Sequence, residues 1–296
     1  MFGHIFKSSM PLRTPLFRKI SIIGIGLMGG SLGLAIKKQN VAREIVGFSH
    51  TAASVNYALE HKIIDQIAPD LKTAVHNADL VILAAPVKTI MNLLPMIAPH
   101  LSRYCIVTDV GSTKASIVQA AQKSLLSYPM FVGSHPLAGS EKKGTTHASA
   151  ELFEGAVCIM TPTDQTNRLA KEKVKHFWIN LGTQVKFLTP DQHDKILAYI
   201  SHLPHLIAYT LVETIPAEYL EFSAQGLKDT TRIASSSPQM WNDICLANPK
   251  NIVKSIDELV KSLSTIRKMI LTKDEPGLND YFQKSKTKRD SLEKRE

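Results

Sequence analysis

The sequence predicts an α/β N-terminal domain built on a parallel sheet, followed by an all-α C-terminal domain. Three observations carry that prediction. An apolar run meets a glycine cluster, Ile20-Ser-Ile-Ile-Gly24-Ile-Gly26-Leu27-Met28-Gly29-Gly30-Ser31, just ahead of a helix-compatible stretch, Leu32 to Lys38. Strand-like apolar runs then alternate with helix-like segments as far as residue 188, the pattern of a doubly wound sheet. From Pro190 onward the strand-like runs stop and helical spacing takes over.

The G-x-G-x-x-G spacing between a strand and a helix is that of a Rossmann-like dinucleotide-binding turn. Gly24 allows the tight turn, and Gly26 lets a pyrophosphate approach the backbone. Gly29 lets the helix pack close to the strand, so that the helix N-terminus faces the phosphates. Leu27, Met28, Gly30 and Ser31 complete the stretch expected to hold the cofactor. Glu44 to Ser49 reads as the second strand. About 20 residues past the glycines, NAD-binding folds carry an acid for the ribose 2′-hydroxyl. Ser49, His50 and Thr51 stand there instead. No carboxylate repels a 2′-phosphate, and all three residues can donate hydrogen bonds to one. The sequence therefore favours NADP over NAD, with a site that accepts both as the alternative.

Ala52 to His61 reads as a helix. Asp79 to Ala85 is a continuous apolar run ended by Pro86, as expected of a strand buried on both faces. Val87 to Ile97 is a further helix, with an early end or a kink expected at Pro95. Tyr104 to Asp109 is a strand, Lys114 to Leu126 a helix, and Phe131 to Pro136 a strand end. Ala156 to Met160, Asn167 to Leu181 and Gln184 to Leu188 continue the alternation as strand, helix and strand. Asp191 to Ile215 is a long helical stretch, expected to bend at Pro204. Ile256, Leu259, Val260, Leu263, Ile266 and Ile270 form an apolar stripe at helical spacing. Such a stripe reads first as core, and a helical domain in this position also suits dimerisation. The expected organisation is a flexible basic tail over residues 1–18, a dinucleotide-binding domain over 19–188, a helical domain over 189–283 and a charged tail over 284–296.

The composition is that of an ordinary soluble globular chain: 296 residues, 44% hydrophobic and 21% charged. No apolar run approaches the ~20 residues that span a bilayer, so no membrane partner is expected. The basic start lacks the long apolar core and small-residue cleavage site of a secretory signal. The net charge of +9 suggests a nucleic-acid partner, but its distribution argues against one. Most of it sits at the ends, on Lys7, Arg13, Arg18 and Lys19, and on Lys284, Lys286, Lys288, Arg289, Lys294 and Arg295. Charge runs of this kind are solvated tails. Cys105, Cys158 and Cys245 are far apart with no C-x-x-C, which fits a reducing, cytoplasmic setting.

In open parallel sheets, ligands bind beyond the carboxyl ends of the strands. Three polar clusters lie there: Ser49-His50, Asp109-Val-Gly-Ser112-Thr-Lys114, and Ser134-His135-Pro-Leu-Ala-Gly-Ser140-Glu141-Lys142. A histidine at this place can accept the proton of a hydroxyl being oxidised to a carbonyl. His135 is the candidate base, and Ser112 can orient it or share the same hydroxyl. Asp109 is expected beside the cofactor. The second domain adds His193, His202 and His205. His193 falls on the opposite side of an ideal helix from His202, so a bend or a second helix is needed to gather them. No metal-ligand motif is present. Arg232 supplies a fork donor suited to a carboxylate.

These residues fall into segments that resemble one family. Gly24-x-Gly26-x-x-Gly29-Gly30-Ser31, Asp109-Val-Gly-Ser112-Thr-Lys114, Gly133-Ser-His135-Pro-Leu-Ala-Gly139-Ser-Glu141-Lys142-x-Gly144, His193-Asp194, Ser201-His202-Leu-Pro204-His205 and Lys228-Asp-x-Thr-Arg232-Ile-Ala are similar to the prephenate/arogenate dehydrogenases of tyrosine biosynthesis. The likeness runs from about Lys19 to Leu271 in the family's order. It implies oxidative decarboxylation of a cyclohexadienol, with hydride passing to NAD or NADP and carbon dioxide leaving as the ring becomes aromatic. It places the catalytic histidine at His135 and its serine partner at Ser112. The substrate side falls at Ser140, Glu141, His205, Arg232 and Trp241, with Arg232 facing a substrate carboxylate. It implies a homodimer through the helical domain. Prephenate is the expected substrate and arogenate the alternative. Another β-hydroxyacid-type dehydrogenase and a non-catalytic dinucleotide sensor that binds nucleic acid are the remaining readings.

Overall fold

The computed structural model describes residues 14–125, 130–139 and 142–293. The first part alternates strands and helices: β1 (Phe17–Ile23), α1 (Leu27–Lys38), β2 (Ala42–Phe48), α2 (Ala52–Glu60), β3 (Gln66–Ile67), α3 (Leu71–Val75), β4 (Leu80–Leu83), α4 (Val87–Ile97), β5 (Ile106–Asp109), α5 (Ala115–Ser124), β6 (Phe131–Pro136), β7 (Val157–Thr161), α6 (Arg168–Asn180) and β8 (Gln184–Phe187). They form one sheet in the order β3-β2-β1-β4-β5-β6-β7-β8. Every neighbouring pair is parallel except β6 and β7. Every residue of β4 and β5 is buried, because helices cover both faces of the sheet. Ile20, Ile22, Leu32, Ile36, Phe177 and Trp178 pack in one layer, and Ile23, Leu83, Ile90, Leu94, Val107 and Ile117 in the other.

The second part is helical: α7 (Pro190–Leu197), α8 (Leu203–Glu213), α9 (Gln225–Thr231), α10 (Pro238–Ala247), α11 (Pro249–Leu271) and α12 (Glu275–Glu293). Thr189 and Gln192 start α7 with a reciprocal capping box, and Pro190 occupies its first turn, each a strong start signal. The helical part is docked on the sheet part. Trp241 and Ile244 of α10 are buried in the same core layer as α4 and α5, contributing roughly 1.5–3 kcal/mol for each side chain removed from water.

Several expectations are corrected. The sheet is mostly parallel, with β7 and β8 reversed. The chain between β6 and β7 carries no crossover helix among its described residues and packs instead on α1 and the turn before it, where the Thr145 hydroxyl donates to the Ile25 carbonyl at 2.6 Å. The short β3 and α3 lie in a stretch for which no element was expected. The basic start is ordered from Phe17, which is 2% exposed, and Arg18 pairs with Asp79 at 2.9 Å. Residues 1–13 lie outside the described residues, as do 294–296. The expected charged tail is helical through Glu293, since its charges fall at i,i+4: Lys284 meets Asp280 at 2.6 Å and Lys286 meets Asp290 at 2.7 Å. Pro95 neither ends nor breaks α4, which runs on to Ile97. The apolar stripe is not core. Ile256, Val260, Leu263 and Ile270 are exposed, because α11 buries only its first turns (Ile252 and Ser255), and beyond them packs along α12, where Ser262 meets the Tyr281 hydroxyl at 2.5 Å. No described helix is long and apolar enough to cross a membrane.

Candidate active site

The glycine turn sits between β1 and α1, and its three motif glycines differ in what surrounds them. Gly24 has φ +102°, and a Cβ there would lie 2.2 Å from the Ala84 carbonyl oxygen. A Cβ on Gly29 would lie 1.9 Å from the Gly24 oxygen. A Cβ on Gly26 would meet nothing within 4 Å. Two glycines therefore let strand and helix close up, while the third faces open space at the start of α1. That helix has no side-chain cap and no acid in its first turn, so its first N–H groups point at an open cradle. This geometry fits a dinucleotide pyrophosphate. Leu27 and Met28 are half-buried in the first turn of α1. Gly30 and Ser31, next along α1, are packed against the chain that follows β6. Gly30 leaves room for Thr145 and Ala148, and the buried Ser31 hydroxyl accepts from the Ser149 N–H at 3.1 Å. Ser49, His50 and Thr51 form the β2–α2 turn, with the His50 ring edge against Phe48. Thr51 stands at the head of α2 without a side-chain capping bond.

The ends of β5 and β6 lie side by side, held by buried polar bonds. The Thr108 hydroxyl donates to the Val132 carbonyl at 2.7 Å. Asp109 is fully buried. It accepts from the Gly111 N–H at 2.9 Å and the Ser134 N–H at 3.2 Å, and it pairs with the Lys114 ammonium. Its oxygens are used inside the protein, fixing the turn that carries Ser112 and the strand that carries His135. Ser112 is half-buried, and its hydroxyl has no hydrogen-bond partner among the described residues.

The helical part completes the site. His193 on α7 is 0% exposed, and its Nε2 lies 2.8 Å from Nδ1 of His135. Its Nδ1 lies 2.8 Å from Oδ1 of Asp194. Asp194 also accepts the N–H groups of Lys114 at 2.7 Å and Ala115 at 2.9 Å, capping α5 from the other domain. Asn248 donates to the Asp194 carbonyl at 2.7 Å and ties α11 to α7. Between α7 and α8 the helix widens into a π-helical turn, Ala198–His202, a feature frequent at functional sites. It replaces the bend expected at Pro204, which simply occupies the first turn of α8. The widening shifts the helix phase, so His193 and His202 face the same region. The His205 ring stacks on Trp241 at 3.9 Å, and His202 meets the Trp241 ring edge-on at 6.1 Å. The indole N–H of Trp241 is buried without a hydrogen-bond partner among the described residues, and the buried His202 ring faces the Ser112 backbone.

Electrostatics favour neutral imidazoles. Burial pushes His135 well below the ordinary histidine range, and the neighbouring His193, Lys114 and His202 push the same way. Burial lowers His193, with the Asp194 hydrogen bond opposing it. His202 is pushed down to about 4, also by burial. His205 is lowered by burial and, further, by the positive charge of Arg232, which places that exposed guanidinium close to the His205–Trp241 pair.

Of the sequence candidates, the structure thus brings His135 and His202 together at one end of the sheet, and places Ser112 on the adjoining turn. His205, Arg232 and Trp241 adjoin them from the helical side. Ser140 and Glu141 lie outside the described residues. His193, Asp194 and Lys114 were seen in the sequence but given no role in the site. Their signal was a His-Asp pair in the second turn of a well-capped helix. Asn248 gave no signal.

Residues 32–187 match the prephenate dehydrogenase nucleotide-binding domain, and residues 189–284 match the prephenate dehydrogenase dimerization domain. A prephenate dehydrogenase of Bacillus subtilis is 38% identical over 92% of this chain and 76% of its own length. A cyclohexadienyl dehydrogenase of Zymomonas mobilis is 32% identical over 94% of this chain and 97% of its own. The crystal structure of prephenate dehydrogenase from Aquifex aeolicus, in complex with hydroxyphenyl propionate and NAD+, superposes with a TM-score of 0.88 at 33% identity, covering 93% of this chain and 98% of that one. With its glycine cradle and its histidines at the domain junction, the chain belongs to the prephenate dehydrogenase family.

Proposed function

We propose that the chain converts prephenate to 4-hydroxyphenylpyruvate, with His135 as the base, Ser112 beside it and Arg232 receiving a substrate carboxylate. The chain is an NAD-type oxidoreductase by family, and the observation that carries the finer reading is the placement of His135. It stands at the carboxyl end of β6, in the sheet that carries the glycine cradle, and is held neutral by burial. A neutral imidazole there can take the hydroxyl proton as the ring carbon is oxidised. When bound, the nicotinamide accepts the hydride from that carbon. Loss of carbon dioxide leaves its bonding pair in the ring, so the oxygen becomes a phenolate and recovers the proton. The reaction therefore needs a group that stores one proton and returns it, and no path to bulk water. Substrate carboxylates attract Arg232, and the stacked His205–Trp241 pair offers a flat wall to a six-membered ring.

Two further readings belong to the same proposal. NADP is favoured over NAD, because the β2–α2 turn presents Ser49, His50, Thr51 and the uncapped start of α2 with no carboxylate among them. The exposed stripe of α11 pairs with a second copy of the chain, in keeping with the family's dimerization domain.

The experiment crosses prephenate and arogenate with NADP and NAD, following reduced cofactor and carbon dioxide. Equal amounts of both products from prephenate with NADP are expected. A folded protein that binds dinucleotide but turns over neither substrate would sink the proposal.

A further inference from the structure

We infer that His193 and Asp194 are positioning residues that lock His135 into one tautomer, protonated at Nδ1 and bare at Nε2; the inference rests on the reading of His135 as the base. Asp194 sets the direction of the chain. Its Oδ1 accepts the Lys114 N–H at 2.7 Å and its Oδ2 accepts the Ala115 N–H at 2.9 Å. Both oxygens act as acceptors at the positive end of α5. The 2.8 Å contact from Oδ1 to His193 Nδ1 therefore takes an Nδ1–H donor, since a ring lone pair facing a carboxylate lone pair at that distance would be repulsive.

A neutral imidazole carries one ring proton. With that proton on Nδ1, Nε2 of His193 holds a lone pair. This atom lies 2.8 Å from Nδ1 of His135, which must supply the hydrogen. The one ring proton of neutral His135 is then spoken for, and its Nε2 is left free to accept the substrate hydroxyl proton. After that transfer, the His135 imidazolium still donates through Nδ1 to His193, and the Asp194 charge faces it through the intervening ring. Other charged or titratable groups around the pair are Lys114, which is matched by Asp109, and His202. The base comes from the sheet domain and both positioning residues from the helical domain. Correct protonation of the site thus depends on α7 docking against α5.

The test has two readouts, made on the full chain. In long-range ¹H–¹⁵N spectra of ¹⁵N-histidine-labelled enzyme, assigned with His135→Asn, wild-type His135 is expected as the Nδ1–H tautomer. This readout does not depend on the substrate assignment. In kinetics, His193→Phe is expected to lower kcat roughly 100-fold and to leave dinucleotide affinity and KM within about twofold. His193→Gln places an amide oxygen where it can accept from His135 Nδ1, and is expected to recover kcat to within about 10-fold of wild type. An Nε2–H tautomer in wild-type His135 would overturn the inference, as would equal losses in the Phe and Gln variants. If neither variant folds, the wild-type spectrum alone decides. Failure of the prephenate assay with an Nδ1–H spectrum would reject the substrate while leaving the tautomer standing.

Discussion

Asp109 and Lys114 form an ion pair in which both side chains have no exposed surface. The Lys114 ammonium also donates to the Ser134 carbonyl at 3.0 Å, and Asp109 collects two backbone N–H groups. One charge pair thus joins the end of β5, the start of α5 and the strand that carries His135.

Breaking this pair from one side leaves a buried charge without its match. Lys114→Met is expected to cost about 3–5 kcal/mol. The double variant Lys114→Met with Asp109→Asn is expected to recover much of that loss, since the amide oxygen still accepts a backbone N–H. Denaturant unfolding of the two variants and the wild type measures both values. Equal stability of the single variant and wild type would show that the pair carries no such cost.

The glycine cradle gives a separable pair of outcomes. Gly29→Ala puts a methyl 1.9 Å from the Gly24 oxygen and is expected to destabilise by at least about 1–3 kcal/mol. Gly26→Ala meets nothing within 4 Å and is expected to change stability by no more than about 0.5 kcal/mol while weakening dinucleotide binding. Thermal melts with and without cofactor distinguish the two. A Gly26 variant that binds dinucleotide as tightly as wild type would remove this residue from the cradle.

The cradle shows how much of the fold was legible. A strand, a G-x-G-x-x-G turn and a helix are local features, and period and spacing report them directly. The continuous apolar run around β4 was legible for the same reason. The reversal of β7 was not, because strand direction depends on the path of a connection that has no periodicity of its own. The roles of Asp109 and Asp194 were illegible because a carboxylate's partners here are backbone N–H groups, some about 80 positions away in the chain. His135 could be found by its place at a strand end. His193 could not, since a π-helical turn changes the phase on which the face of a helix is read. The exposure of the α11 stripe was hidden too, since apolar spacing reports a covered face without saying whether the cover is the same chain.

That stripe is open to a direct test. Val260 is 53% exposed and Leu263 55%, on a face of α11 that the described residues leave uncovered. Val260→Asp with Leu263→Asp places two charges in the expected dimer contact. Sedimentation at micromolar concentration is expected to show a dimer for the wild type and a folded monomer for the variant, by far-ultraviolet circular dichroism. A variant that stays dimeric would move the interface elsewhere.

Removal of the base is the sharpest test of the chemistry. His135→Asn is expected to lower kcat about 10²–10⁴-fold with dinucleotide affinity unchanged. Because burial holds the wild-type imidazole well below its ordinary range, the acid limb of kcat/KM is expected below about 6.5, the ordinary histidine value. A limb at or above that value would mean that another group limits the rate.

Stability should show the same histidines. His135, His193 and His202 all have lowered values in the folded protein, whereas in the unfolded chain each titrates near 6.5. Between those values the unfolded state binds more protons, so stability rises with pH there and falls as the solution is acidified. The loss begins near pH 6.5, where most carboxylates are still charged and acid unfolding by carboxylate protonation has not started. Each histidine that stays neutral contributes a slope of up to about 1.4 kcal/mol per pH unit. Urea unfolding between pH 7.5 and 5 measures the summed slope. His202→Asn is expected to reduce it by the share of one histidine, since this ring titrates in the folded state only near 4. A flat profile over that interval would mean that the site takes up protons without unfolding, and that burial does not keep these imidazoles neutral.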